Sequence, residues 1–230
     1  MDERQRRAWA VLDVGPQWVA RAEVSTAPAP AGLDSRSACA LNWDELQSAV
    51  SSCTACGLAA GRTQTVFGAG SIQSPWLLVG EAPGEQEDAS GEPFVGAAGQ
   101  LLDQMLAAVG IDRSRKAFIT NVLKCRPPRD RDPQPDEIAG CLPFLHAQVT
   151  QVNPQVIVAL GRLAAQALLG SESNLSALRG RVHRYRCGDR EIPLVVTLHP
   201  ADLLRSLPDK AKAWADLCLA RRCLDQQTRD

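Results

Sequence analysis

An α/β fold of three layers (α/β/α), built on a mostly parallel central sheet of about four strands, is the class this sequence predicts. Two observations predict it. Four short runs rich in Val, Ile and Leu recur along the chain, and stretches with helical spacing of apolar residues separate them. The runs are nearly continuous in apolar residues instead of alternating, which suits strands covered on both faces and hence a parallel sheet.

Taken in order, Trp76–Val79 reads as the first buried strand, ending in Gly80. Phe94–Val109 reads as a helix through the spacing of Leu101, Leu102, Met105, Leu106 and Val109. Ala117–Leu123 is the second strand and Asp136–Val152 the second helix. Val156–Leu160 is the third strand, followed by a helix over Arg162–Leu169 that Gly170 stops. Leu194–Leu198 is the fourth strand, and a last helix covers Asp209–Leu224. In open α/β sheets ligands bind beyond the carboxyl ends of the strands. That rule singles out the segments GEAPGEQED, NVLKCRPP, GRLAA and HPADLLR.

The 230 residues allow one large domain or one domain with a short appendage. Residues 1–45 read as an N-terminal extension: a short basic amphipathic helix over Glu3–Leu12, an Ala/Pro linker at Ser25–Gly32, and Trp9, Trp18 and Trp43 as anchors onto the body. Residues 46–230 form the main domain. Formal net charge is −1, so an anionic polymer has to be met by a local basic patch. No apolar run approaches the ~20 residues of a membrane span, and the first residues carry no export signal, so a cytoplasmic protein without a membrane partner is expected.

Eight cysteines are many for such a chain, and in a reducing compartment clustered cysteines serve as metal ligands or redox groups more often than as disulfides. Cys53 and Cys56 form a C-x-x-C, and 15 residues separate Cys125 from Cys141. Four thiolates can complete a tetrahedral zinc site or hold an iron–sulfur cluster, and the residues alone leave both open. Cys39, Cys187, Cys218 and Cys223 read as buried small apolar residues. The GEAPGEQED loop gathers Glu81, Glu85, Glu87 and Asp88, the wrong charge for a phosphate cradle. Carboxylates suit a site where positive charge develops or a water is oriented.

Taken together and in this order, the C-x-x-C, GEAPGEQEDASGEPFVGAAGQLL, TNVLKCRPP, EIAGCLPFL and HPADLLR resemble the iron–sulfur (family 4) uracil-DNA glycosylases, from Cys53 to about Arg205. The resemblance implies a monomeric hydrolase that flips uracil out of single- or double-stranded DNA and cleaves its glycosidic bond, initiating base excision repair. It implies that Cys53, Cys56, Cys125 and Cys141 hold a [4Fe–4S] cluster, with zinc as the alternative. Phe94 matches the aromatic that stacks on uracil, Asn121 the amide that reads its edge, and Ala82 and Pro83 backbone contacts to the base. His199 matches the donor to uracil O2; Glu81 and Glu87 match carboxylates at the sugar. Leu203, Leu204 and Arg205 resemble the wedge that enters the duplex. Lys124, Arg126, Arg129 and Arg131, with Arg179, Arg181, Arg184 and Arg186, are candidates for phosphate contacts. Two residues depart from the pattern: Asp202 puts a carboxylate near the phosphates, and Gly84 stands where better-known relatives carry a Tyr against thymine's methyl group. No histidine lies in Arg126–Asp136, so a covalently trapping mechanism is not expected. The competing reading is a metal-stabilised DNA-binding protein with little excision activity. A zinc-ribbon nucleotide hydrolase is disfavoured by the acidic loop.

Overall fold

The structure is a computed structural model and describes residues 34–227. The Glu3–Leu12 helix, the linker, Trp9 and Trp18 lie outside the described residues. Helices α1 (Ser35–Ala40) and α2 (Trp43–Ser51) come first, the latter closed by a reciprocal capping box between Asn42 and Glu45. The expected boundary after residue 45 therefore falls inside a helix. Ala38, Leu46 and Val50 are buried in the core, and the Trp43 ring meets Phe67 and Phe118 edge-on at 5.1 and 5.2 Å. These residues belong to the folded body.

The sheet has six strands in the order β1-β3-β2-β4-β6-β5: β1 (Ala69–Gly70), β2 (Trp76–Gly80), β3 (Ala117–Asn121), β4 (Val156–Leu160), β5 (Val182–Cys187) and β6 (Arg190–Thr197). The four central strands are the expected ones and are mutually parallel. The count of about four is corrected by two antiparallel edges, β1 on β3 and β5 on β6. Strand β6 begins at Arg190, ahead of the expected Leu194, because it continues out of the β5 hairpin through Gly188 and Asp189. Strand β3 ends at Asn121, where the chain leaves the sheet.

Alternation of side chains along each strand divides the core in two. Leu77, Val79, Ile157, Ala159, Leu194 and Val196 pack with the long helix Pro135–Val152 on one face. Trp76, Leu78, Val156, Val158 and Leu160 pack on the other against the helices Ala97–Ala108 and Lys210–Gln227. Phe94 precedes the first of these helices instead of opening it, contrary to the expected Phe94 start. Connections from β2 run to β3 on one side and those from β4 to β6 on the other. A crevice between β2 and β4 follows from that divergence.

Because Leu46 is fully buried under α2, Leu46→Ala is expected to lower unfolding stability by about 2–5 kcal/mol in denaturant titration. A loss near zero would detach α2 from the body.

Candidate active site

The carboxyl ends of the parallel strands open into one cleft of about 640 Å³. All four segments singled out by position contribute to its walls: Glu81 after β2, Asn121 at the end of β3, Arg162 after β4 and His199 after β6. Ala82, Pro83, Glu87 and Phe94 join them.

Asn121 is 2% exposed, and its Oδ1 has no hydrogen-bond partner among the described residues. A buried acceptor without a donor costs free energy that an incoming N–H recovers. Phe94 is buried beside it, and its ring lies 5.5 Å from that of His199, tilted by 33°. Its φ is +55°, a conformation uncommon for a bulky residue and costing about 1 kcal/mol or more. Ring and amide meet over Gly80. A Cβ there would lie 2.3 Å from Asn121 Oδ1 and 2.7 Å from the Phe94 ring, so the bare backbone is what lets the two approach.

His199 caps the helix Pro200–Arg205, and its Nδ1 accepts from the Ala201 N–H at 3.2 Å. An accepting Nδ1 leaves the ring proton on Nε2. Burial lowers the His199 pKa, with Arg205 acting in the same direction against Asp202 and Glu87. The ring is therefore a neutral donor. Glu81 differs: burial, then Asp132 and Asp202, push its carboxyl up to about 7, with Arg162 opposing.

Glu87 lines the cleft, yet its carboxylate is engaged by backbone. Oε1 accepts from Val95 N–H at 3.0 Å and Gly96 N–H at 3.3 Å, and Oε2 from Gly84 N–H at 3.2 Å. It clasps the loop after β2 to the loop that carries Phe94.

At the cleft mouth, Leu203 is 1% exposed and offers no surface for a wedge, a correction to its assignment. On the same short helix Leu204 is exposed, and Leu207 beyond it is 68% exposed. Arg205 is exposed and pairs with Asp202, so the unexpected carboxylate is countered within one helical turn. Lys124 is fully buried and hence no phosphate contact. Arg179 is spent on buried Asp216 at 2.6 Å. Arg126 is tied to Asp130 at 2.7 Å, and Arg131 pairs with Glu137. Arg162, bound to Asp132 at 3.1 Å, was not assigned from sequence, although its segment was singled out.

The four assigned cysteines line a second, small cavity together with Arg62 and Lys124. Arg62 Nη1 donates to Cys125 Sγ at 3.3 Å. Burial drives the Cys141 thiol up to about 12, so thiolates there require positive charge beside them. Among the described residues, no three His, Cys, Asp or Glu converge closely enough to hold a single metal ion. The Lys124 ammonium reaches the other way, donating at 2.7 Å to each of Thr120 Oγ1, Asn121 O and Gln148 Oε1.

Residues 67–218 match the family model described as the uracil DNA glycosylase superfamily. The chain belongs to that superfamily. It is 45% identical to a type-4 uracil-DNA glycosylase of Thermotoga maritima over 68% of this chain and 80% of the relative. A type-4 uracil-DNA glycosylase of Archaeoglobus fulgidus is 41% identical over 70% and 82%. One from Sulfurisphaera tokodaii is 42% identical over 70% and 75%. All three alignments cover most of each superfamily relative, and the matched span contains Glu81, Phe94, Asn121 and His199.

The Glu81 carboxyl is expected to titrate near pH 7 by carbon-detected NMR, and Asp132→Asn to lower that midpoint by removing a neighbouring negative charge. A midpoint at the ordinary 4.5 would contradict the buried, acid-flanked environment.

Proposed function

We propose that this chain is a uracil-DNA glycosylase. It hydrolyses the N-glycosidic bond of a uracil flipped out of DNA, releasing free uracil and leaving an abasic site at the start of base excision repair. The observation that carries this reading is one cleft holding the Phe94 ring, the unpartnered Asn121 Oδ1 and the neutral His199 donor together.

In this reading uracil stacks on Phe94, its N3–H donates to Asn121 Oδ1, and Asn121 Nδ2 donates to O4. Cytosine presents an unprotonated N3 to the same oxygen, leaving two acceptors face to face. As the bond breaks, negative charge grows on uracil O2, and the His199 Nε2–H is the donor that strengthens there. Glu81 faces the sugar, where a carboxylate balances oxocarbenium charge or orients the attacking water. It is ionised above about pH 7, so excision is favoured on that side. The water oxygen bonds to the sugar carbon, and the departing base takes up the proton. Glu87, with its three backbone partners, holds the pocket's loops, while Ala82 and Pro83 lie beside the base. Leu204 and Leu207 supply apolar surface for the vacated stack, with Arg205 alongside.

Cys53, Cys56, Cys125 and Cys141 fit a [4Fe–4S] cluster. Four thiols around a cavity where the Arg62 guanidinium donates to Cys125 Sγ match a dianionic four-thiolate centre. Zinc, which would need all four sulfurs within about 2.3 Å of one point, is the alternative occupant of the same four thiols. When bound, such a cluster supplies a structural tie, since hydrolysis moves no net electrons. In the same reading the protein acts as a monomer, on single- or double-stranded DNA. No helix among the described residues is long and apolar enough to cross a membrane, and thiols that must stay reduced suit the cytoplasm.

A labelled oligonucleotide with one uracil, incubated with the protein and then treated with alkali, is expected to be cut at that position, whereas a thymine-matched strand stays intact. His199→Ala is expected to lower the rate by about 10²-fold or more. Absence of uracil-dependent cutting by cluster-loaded protein would favour DNA binding without excision. Cys125→Ser is expected to lose a broad absorbance near ~400 nm together with thermal stability; a coloured, fully stable variant would remove Cys125 from the ligand set.

A further inference from the structure

Phe94 is held in an unfavourable backbone conformation by partners on both sides. Glu87 secures the N–H groups that follow, at Val95 and Gly96. The preceding side is gripped by Arg113. Its Nη1 donates to Phe94 O at 3.1 Å and to Asp103 Oδ1 at 2.7 Å, and its Nη2 donates to Pro93 O at 2.5 Å.

The placement of these partners matters. Arg113 opens the short helix Arg113–Lys116, which runs directly into β3 and so to Asn121 at its far end. Asp103 stands on Ala97–Ala108, the helix that the Phe94 loop enters. The same helix packs against Phe94 so closely that a Cβ on Gly99 would lie 1.8 Å from Phe94 O. One guanidinium thus joins the loop bearing the aromatic ring, the helix behind it and the strand bearing the amide. A planar fork with several fixed donors can hold two successive carbonyls and a carboxylate at once, which an ammonium cannot.

We propose that Arg113 is a positioning residue of the base pocket: fixed by Asp103, it clamps the Pro93 and Phe94 carbonyls and thereby sets the Phe94 ring as the stacking floor opposite Asn121. This rests on the reading of the cleft as a uracil pocket. Arg113 touches no base. Its effect runs through Phe94, and a backbone free to relax from positive φ would carry the ring away.

The test is a double-mutant cycle on purified, cluster-loaded protein, read as the dissociation constant of free uracil and as KM and kcat on a uracil oligonucleotide. Arg113→Met is expected to weaken uracil binding and raise KM by about tenfold, the scale of one base-stacking contact, with kcat changed less than about threefold. Arg113→Lys is expected to recover part of the loss. In a Phe94→Ala background, Arg113→Met is expected to add nothing, because the ring through which it acts is gone. An equal loss in both backgrounds would assign Arg113 to general stability and overturn the proposal, as would unchanged uracil binding by folded Arg113→Met. If Arg113→Met does not fold, Asp103→Asn, at a half-buried side chain, is expected to show a smaller shift of the same kind, and no shift overturns the proposal. A wild-type protein that neither binds uracil nor excises it would overturn the pocket reading itself, and this proposal with it.

Discussion

The three hydrogen bonds that Glu87 accepts from Gly84, Val95 and Gly96 are the constraint on which the cleft depends. A carboxylate is a strong acceptor, and backbone N–H groups in a turn have few other partners. Sharing one between two loops turns separate connections into one wall. The loop after β2 then presents Glu81, and the loop before the helix Ala97–Ala108 presents Phe94, at fixed separation. Much of the acidity of GEAPGEQED is therefore structural. Asp88, another of its acids, is buried and receives the Thr63 N–H through both oxygens.

Opposite that wall, β3 carries the amide and leads into the cysteine cavity within four residues. Lys124 bridges them: its ammonium bonds to the Asn121 carbonyl, while its chain lines the cysteine cavity beside Cys125 and Cys141. Burial lowers its pKa to about 7, against thiols that raise it. Its presence in the interior is accounted for by three oxygen partners and by neighbouring sulfur, since a buried charge survives only when paired.

Much of this was legible in the sequence. The central strands announced themselves through unbroken Val, Ile and Leu runs, because both their faces are covered. Strand β5 did not: Val182–Cys187 sits at the edge with only Tyr185 buried, so its arginines read as a basic surface stretch. The Gly188-Asp189 pair was the available signal, a two-residue loop with Gly at positive φ, as a tight hairpin requires. In the cleft, residue identities were readable from ordered blocks, whereas the duties of individual side chains were not. Leucines at 203 and 204 are indistinguishable as letters; helical phase buries one and exposes the other. The same holds for Lys124, whose charge suggested surface, and for Glu87, whose partners are backbone atoms with no sequence signature. Arg113 was silent for a related reason, since two of its three partners are backbone carbonyls.

The space above Gly80 is occupied by Asn121 Oδ1 on one side and the Phe94 ring on the other, with no room for a carbon atom between. A methyl group added there would plug the floor of the cleft while leaving the mouth, with Leu204, Leu207 and Arg205, unaltered. In the proposed reading, grip on the polymer and admission of a single residue from it are kept in physically separate places, and one carbon atom parts a molecule that holds a strand from one that inspects it.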